Sequence, residues 1–133
     1  MLASLEIFNF GEYFIHWISI LYNNIQSVVT NNGYASESFT LQRGIRQGCP
    51  LSAYLFIMAV EILAHKIRTD KNIEGIKIGD QTIKISQLAD DTTCFLNNIQ
   101  SLDAALTLFA RFSKCAGLKL NVEKTKAKYL REK

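Results

Sequence analysis

Apolar residues recur at helical spacing in three segments of the chain. The first spans residues 12–22, the second spans 51–68, and the third begins at Ser101 as its N-cap and stops at Gly117. Each segment carries an apolar stripe on one side, which predicts a helix packed against a core. Trp17, in the first segment, is expected to belong to that core rather than to a base-stacking surface.

The segments between these helices are rich in β-branched residues and turn signals, which predict strands. The predicted strands are residues 25–30, 34–41, 73–78 and 83–88, with further short strands within 118–130. Asn32-Gly33 predicts a tight hairpin turn between the first two, and Gly79-Asp80 a turn between the next two. The fourth strand is expected to continue past residues 90–91 as far as Leu96. This order predicts an α+β fold in which helices pack on one face of an antiparallel sheet.

Composition fits one small domain with its own core. The chain has 133 residues, of which 48% are hydrophobic and 20% charged, and its one proline and seven glycines leave no room for a linker. No segment is apolar for long enough to cross a bilayer, so no membrane partner is expected. The three cysteines have no metal-ligand spacing, which favours reduced thiols in an intracellular protein, in the nucleus or the cytoplasm.

Charge is distributed unevenly along the chain. Residues 1–110 carry a net charge of −3 and residues 111–133 a net charge of +6. A basic end beside an acidic body suits a phosphate-rich partner, although a solvated lysine-rich tail has the same composition.

Two adjacent carboxylates, Asp90 and Asp91, lie between apolar strand segments. Neighbouring residues of a strand point to opposite faces, so the pair can serve one site only if the chain turns tightly there. Two like charges ~4 Å apart repel by about 1 kcal/mol in water and about 4 kcal/mol at an effective dielectric of 20, and a bound cation would offset this. Hard oxygen ligands suit magnesium. Polymerases commonly use two such ions to activate the attacking hydroxyl and to stabilise the leaving phosphate. The alternative is a solvated Asp-Asp turn.

A glycine-rich loop over residues 43–50 precedes the second helix. Gly48 lets the backbone approach a ligand closely, and the side-chain amide of Gln47 can both donate and accept. Arg43 and Arg46 offer forked donors that match phosphate, and the following helix directs its positive end to the same place. Such a loop could hold an incoming triphosphate or a template base, or it could be a simple glycine turn.

The loop and the aspartate pair, in this order and spacing, resemble motifs B and C of reverse transcriptases. The string 43–52, RGIRQGCPLS, closely resembles the version found in non-LTR (LINE-like) retrotransposons, and 89–91, ADD, resembles the family's catalytic turn. Residues 117–121 with 123–125 resemble motif D, and the stretch 8–33 resembles the sequence that precedes motif B. The resemblance covers nearly the whole chain.

The resemblance implies a polymerase palm that copies RNA into DNA with two magnesium ions, an RNA template, a DNA primer and deoxynucleoside triphosphates. By position, Asp90 would be the main metal ligand and Asp91 its partner. Leu88 departs from the family pattern, which usually has Tyr or Phe there.

The resemblance also implies roles for residues outside the aspartate pair. Gln47 and Gly48 would line the pocket for the nascent base pair, and Arg46 would contact phosphate. Lys124 would be the motif D lysine, which could protonate the departing pyrophosphate, unless it is one more surface lysine in a basic stretch.

Motif A, which carries another metal-binding aspartate in this family, has no counterpart in residues 1–133, and neither have the fingers and thumb. The chain is therefore expected to be a palm fragment that is inactive alone. Two alternatives stay open: a non-catalytic nucleic-acid-binding remnant that grips with residues 111–133, and a decayed gene product.

Overall fold

The computed structural model describes residues 1–41, 48–88, 91–118 and 120–129. Within these residues, the helices are α1 Leu2–Ile7, α2 Glu12–Tyr22, α3 Pro50–Thr69 and α4 Ile99–Ala116. The strands are β1 Gln26–Ser27, β2 Thr30–Asn31, β3 Tyr34–Ala35, β4 Phe39–Thr40, β5 Ile76–Ile78, β6 Gln81–Ile83, β7 Ile85–Leu88 and β8 Asp91–Cys94. The α+β class is confirmed, and the described strands pair antiparallel as four two-stranded ladders: β1 with β4, β2 with β3, β5 with β6, and β7 with β8.

The chain divides into two compact units, unit 1 (Met1–Ile62) and unit 2 (Leu63–Lys133). The core of unit 1 is small. Leu5 of α1, Ile18 of α2 and Leu55 of α3 are its buried residues, and partly buried apolar side chains surround them. Phe10 and Phe14 stack with their ring centroids 4.9 Å apart at the edge of this core. The helix α1 was not predicted.

The predicted hairpin of unit 1 is confirmed, but its ladder is interrupted. Asn32 and Gly33 both have positive φ, which is the turn geometry that matches the twist of paired strands. Beyond this turn, the Ser36 hydroxyl accepts a hydrogen bond from the Val29 amide, and the Ser36 amide donates to the Val29 carbonyl. Because a side chain enters the ladder here, the two predicted long strands become two pairs of two residues each.

The core of unit 2 joins the end of α3 to α4 and the strands. Its buried residues are Leu63, Ala64, Ile67, Ile73, Ile85 and Ala105. Gly75 is required at the edge of this core, because a Cβ there would collide with the backbone carbonyl of Ile83. The Lys84 ammonium donates to the Asp70 carbonyl at 2.7 Å, which ties the segment between β6 and β7 to the residue after α3.

Helix α4 begins three residues before the predicted start. Asn98, rather than Ser101, is the N-cap, because its side chain accepts a hydrogen bond from the Ser101 amide at 2.7 Å. Ser101 is instead fully buried and accepts from the Glu74 amide. The predicted stop is confirmed, since Gly117 adopts the left-handed conformation that ends helices.

Three further predictions about local structure are wrong. Trp17 is 62% exposed and not part of the core of unit 1. The strand 83–88 does not continue to Leu96, because β7 and β8 pair antiparallel and the chain reverses between Leu88 and Asp91. Within residues 120–129, which the structure describes, the predicted strands are absent and a turn follows Asn121.

By length and apolar composition alone, α3 would suffice to cross a bilayer, contrary to the expectation that no segment is apolar for long enough. Core helices of water-soluble proteins meet the same two criteria. Leu55, Leu63 and Ile67 of α3 are buried in the cores described above, so these criteria by themselves do not identify a membrane segment.

Candidate active site

Asp91, the second residue of the aspartate pair, is the first residue of β8. The register pairs Leu88 with Asp91 and Gln87 with Thr92. Asp91 is exposed and Leu88 is 80% exposed, so the last pair of the ladder presents its side chains to solvent. Asp90 lies outside the described residues. The register thus brings Asp91 opposite Leu88 at the end of the ladder, and the joint use of the two carboxylates stays a prediction.

The opposite face of the hairpin anchors it to the core of unit 2. Ile85 is buried in that core and Cys94, its cross-strand partner, packs against it. Between this pair and the reversal, the Gln87 amide nitrogen donates to the Thr92 hydroxyl at 3.2 Å. A one-residue slip would move these side chains to the solvent face, so core burial and this bond together fix the register that presents Asp91.

The donor chemistry at the reversal fits a hard cation, because carboxylate oxygens are the ligands that magnesium prefers. Across the described residues, no group of three or more His, Cys, Asp or Glu side chains could by itself hold a metal ion. An ion bound at Asp91 would therefore take its remaining ligands from residues that the structure does not describe, from water or from a bound phosphate.

The glycine-rich loop rejoins regular structure at Gly48. Gly48 has φ +76°, in the left-handed region that favours glycine, and α3 begins two residues later. The predicted substrate contacts Arg46 and Gln47 lie outside the described residues. Gly48 therefore has the conformation that explains its residue type, and its contact with a nucleotide stays a prediction.

A polar cluster lies at the start of α3, immediately after Gly48. The Tyr22 hydroxyl is 2.6 Å from the Ser52 hydroxyl and 3.8 Å from the Cys49 sulfur. Hydrogen bonds from the side chain and amide of Ser52, and then from Tyr22, lower the pKa of the Cys49 thiol to about 7. In unit 2, by contrast, burial raises the pKa of the Cys94 thiol.

Lys124 lies in the turn that follows Asn121. The Lys124 amide donates a hydrogen bond to the Asn121 side-chain oxygen at 3.2 Å. The Thr125 amide donates to the Asn121 carbonyl. The Lys124 side chain is exposed, as are the other basic residues of this end that the structure describes: Arg111, Lys114, Lys126 and Lys128. An exposed ammonium at this turn could donate a proton or contact nucleic acid.

The predicted site residues that the structure describes fall in both units: Gly48 in unit 1, and Asp91 and Lys124 in unit 2. Sequence reasoning missed Tyr22, Ser52, Gln87 and Thr92. Tyr22 falls four residues after the buried Ile18, so its hydroxyl could have been placed near the core. Its partners Cys49 and Ser52, 27 and 30 residues away, had no sequence signal.

Comparisons with known proteins agree with the resemblance read from the motifs. A family model described as "Reverse transcriptase (RNA-dependent DNA polymerase)" matches residues 2–132. The chain is 29% identical over 121 residues to the Retrovirus-related Pol polyprotein from type-2 retrotransposable element R2DM of Drosophila melanogaster, covering 91% of this chain and 11% of that protein.

Two other relatives are similarly distant. The chain is 25% identical over 127 residues to the Transposon TX1 uncharacterized 149 kDa protein of Xenopus laevis, covering 94% of this chain and 10% of that protein. It is 30% identical over 93 residues to the Retrovirus-related Pol polyprotein from type-1 retrotransposable element R2 of Popillia japonica, covering 70% of this chain and 13% of that protein. The chain thus spans roughly a tenth of the length of these curated relatives.

Proposed function

Because the chain belongs to the reverse transcriptase family, of the type found in non-LTR retrotransposons, we propose that it is the palm segment of an enzyme that copies RNA into DNA. Its partners in that reaction would be an RNA template, a DNA primer and deoxynucleoside triphosphates. The observation that carries this proposal is the β7–β8 hairpin, whose last pair is Leu88 with Asp91 and which keeps Asp91 exposed.

The Asp90 and Asp91 carboxylates would hold magnesium, with Asp90 as the main ligand. Magnesium bound there would supply charge stabilisation for the attacking hydroxyl and for the departing phosphate, the role of two-metal sites in phosphoryl transfer. The exposed position of Asp91 supports this, because a carboxylate in open solvent can share an ion with a phosphate group.

Residues on two other elements would bind and assist the substrate. Gln47 and Gly48 would line the pocket of the nascent base pair, supported by the left-handed Gly48 that brings bare backbone to the loop surface. Arg46 would contact phosphate through its forked donors. Lys124, exposed at its turn, would donate a proton to the departing pyrophosphate.

We propose that residues 1–133 alone do not extend a primer. These residues hold no counterpart of the motif A aspartate, so one carboxylate pair would have to hold ions that the family holds with three acids. The expected result is no incorporation on a primed RNA template with magnesium. Steady incorporation that vanished in Asp90→Ala would contradict this.

The decisive experiment places residues 2–132 in the aligned region of the Drosophila melanogaster R2DM protein and measures primer extension. We expect magnesium-dependent extension that falls by more than about 100-fold in Asp90→Asn and in Asp91→Asn, because each removes a charge that holds the ion. The matched control is Asp80→Asn, which removes an exposed carboxylate from the turn of the neighbouring β5–β6 hairpin.

Equal activity of the Asp80, Asp90 and Asp91 variants would contradict the proposed role of the pair. A chimera that extends no primer although it folds and binds primer and template would contradict the assignment of this segment as a functional palm.

A second candidate function is nucleic-acid binding without catalysis. The observation that favours it is the exposure of Arg111, Lys114 and the lysines at 124, 126 and 128. It predicts binding that weakens steeply with salt and falls when those three lysines are replaced by Gln, while Asp90→Asn has no effect. Salt-independent binding, or none, would remove this candidate.

We also propose an intracellular setting for the chain. The three cysteines are free thiols, with Cys49 and Cys94 half-buried and Cys115 exposed. Free thiols persist in the reducing interior of a cell. Detection of the chain in a fractionated cell extract, rather than in the medium, would test this.

A further inference from the structure

Tyr22, the last residue of α2, connects that helix to the start of α3. Its ring packs partly buried against the core of unit 1, and its hydroxyl lies 2.6 Å from the hydroxyl of Ser52. Ser52 is 1% exposed, so its polar atom has lost water and depends on protein partners. The same tyrosine hydroxyl is 3.8 Å from the Cys49 sulfur. One hydroxyl therefore contacts two residues of the segment that follows Gly48.

The contacted segment is itself a short hydrogen-bonded turn. The Ser52 amide donates to the Cys49 carbonyl at 3.1 Å, and Pro50, with its restricted φ, lies between them. Gly48, directly before this turn, has φ +76°. Holding the turn from Cys49 to Ser52 in place therefore fixes the point at which the glycine-rich loop enters α3.

We infer that Tyr22 is a positioning residue for Gly48 and the turn that follows it, acting through its hydrogen bond to Ser52 and its contact with Cys49. This inference rests on the proposed function only in its last step, which is that the loop binds the incoming nucleotide. Tyr22 itself touches no reacting atom. Its role is to keep Gly48 in the orientation that substrate binding needs.

The Cys49 thiol supplies an internal reporter of this tether. Hydrogen bonds from Ser52 and, to a smaller extent, from Tyr22 lower its pKa to about 7. The thiolate is the reactive form, so the pH dependence of alkylation at Cys49 reports whether the hydroxyls stay in place. The reporter needs no polymerase activity.

The test uses the full 133-residue chain with three single variants. Tyr22→Phe removes the hydroxyl and keeps the ring in the core. Ser52→Ala removes the buried partner. Tyr13→Phe removes a hydroxyl from the same helix at an 88% exposed position and is the matched control. Iodoacetamide labelling with peptide mapping separates Cys49 from Cys94 and Cys115.

We expect the alkylation midpoint of Cys49 to move upward most in Ser52→Ala, less in Tyr22→Phe and not at all in Tyr13→Phe. Amide hydrogen exchange should report the same order, with several-fold faster exchange in Tyr22→Phe confined to the peptide that contains Gly48 to Ser52. Peptides of α4 should exchange as in the parent chain. In hydrogen exchange, the double variant Tyr22→Phe with Ser52→Ala should add little to Ser52→Ala alone, because both substitutions remove the hydrogen bond between Tyr22 and Ser52.

The effect of Tyr22 on nucleotide binding is measured in the chimera with the Drosophila melanogaster R2DM protein. Tyr22→Phe should raise KM for the incoming nucleotide several-fold with kcat nearly unchanged, since it alters placement of the binding loop and not the reacting groups. Tyr13→Phe should leave both constants unchanged.

Alkylation and exchange of Tyr22→Phe that match Tyr13→Phe would overturn the inference, as would an unchanged KM in an active chimera. A chimera inactive in every form, with the alkylation and exchange changes present, would contradict the proposed function and leave the tether supported. The two failures are thus distinguishable.

Discussion

Unit 1 and unit 2 bury apolar residues to different extents and stabilise their functional segments differently. Among the residues that the structure describes, the core of unit 2 has six buried residues, drawn from α3, α4, β7 and the segment before β5. The described part of unit 1 has three in its core, and its α2 leaves Tyr13, Trp17, Ile20 and Leu21 more than half exposed. The aspartate hairpin thus stands on the larger core, whereas the glycine-rich loop joins a helix held to α2 partly by one hydroxyl pair.

The candidate site residues of the two units therefore depend on different kinds of contact. The hairpin that carries Asp91 has its register fixed by Ile85 in the core and by the bond from Gln87 to Thr92. Gly48 is placed by the turn from Cys49 to Ser52. Core substitutions should therefore damage the aspartate hairpin most, and polar substitutions should damage the loop most.

Truncation of a buried core isoleucine is expected to cost the most stability, and one isoleucine from each core can be compared. Ile67→Ala should lower the free energy of unfolding by about 2–5 kcal/mol, through lost burial and the cavity left behind. Ile18→Ala should lie at the lower end of that range or below, because the half-exposed residues around it can collapse into the space. Urea unfolding followed by circular dichroism measures both, with the exposed Lys71→Ala as control. Equal losses of stability for the two variants would contradict the proposed difference between the two cores.

The second prediction concerns the alkylation rates of one thiol from each unit. At pH 7.5, Cys49 should react with iodoacetamide about tenfold or more faster than Cys94, because its pKa is lowered to about 7 and burial raises that of Cys94. Rates from mapped peptides check this. Faster labelling of Cys94 would show that the polar cluster of unit 1 is not formed in solution.

The same two thiols give opposite pH dependences of stability. The lowered pKa of Cys49 means that its thiolate stabilises the folded chain, so this contribution grows as the pH rises from about 7 towards the ordinary value of 9.0 and is lost as the pH falls through about 7. The raised pKa of Cys94 contributes stability at lower pH that is lost above its ordinary value. Cys49→Ala should flatten the rise in Tm between pH 7 and 9, and Cys94→Ala should not.

The smallest effect concerns helix caps. Asn98→Ala should cost about 0.5–2 kcal/mol, because it removes the side-chain acceptor for the Ser101 amide at the start of α4. In unit 1, Gly11 caps α2 with no side-chain hydrogen bond, has φ −64° and has space for a Cβ. Gly11→Asp should therefore stabilise the chain by a few tenths of a kcal/mol, roughly the difference between these cap residues. Thermal unfolding of both variants checks the signs, and destabilisation by Gly11→Asp would contradict the cap assignment.

Sequence periodicity predicted the elements whose signal is local. The bounds of α2, the start of α3 beside Pro50, the turn at Asn32-Gly33 and the stop at Gly117 follow from spacing and from residues with one strong conformational preference. The N-cap of α4 was misplaced because Ser101 is also a good cap residue. Only the contact between Ser101 and the distant Glu74 amide shows that its hydroxyl is used elsewhere.

The candidate site divides in the same way. Asp91, Gly48 and Lys124 were identified from motifs, and Gly48 has the backbone conformation that its residue type suggested. The reversal at the aspartates was expected to be a continuing strand, because period-two alternation does not show where a strand turns back on itself. The roles of Tyr22 and Gln87 depend on partners brought near by folding, which no local pattern encodes.

The proposed palm depends above all on magnesium held by Asp90 and Asp91. Fe²⁺ in place of magnesium generates radicals that cut backbone next to the ion, so cleavage of the chimera with primer, template and nucleotide tests this directly. The prediction is cuts within residues 89–92 that are suppressed by excess magnesium and by Asp90→Asn. An absence of cuts within 89–92, or cuts there that the variant leaves unchanged, would contradict the role of the aspartate pair.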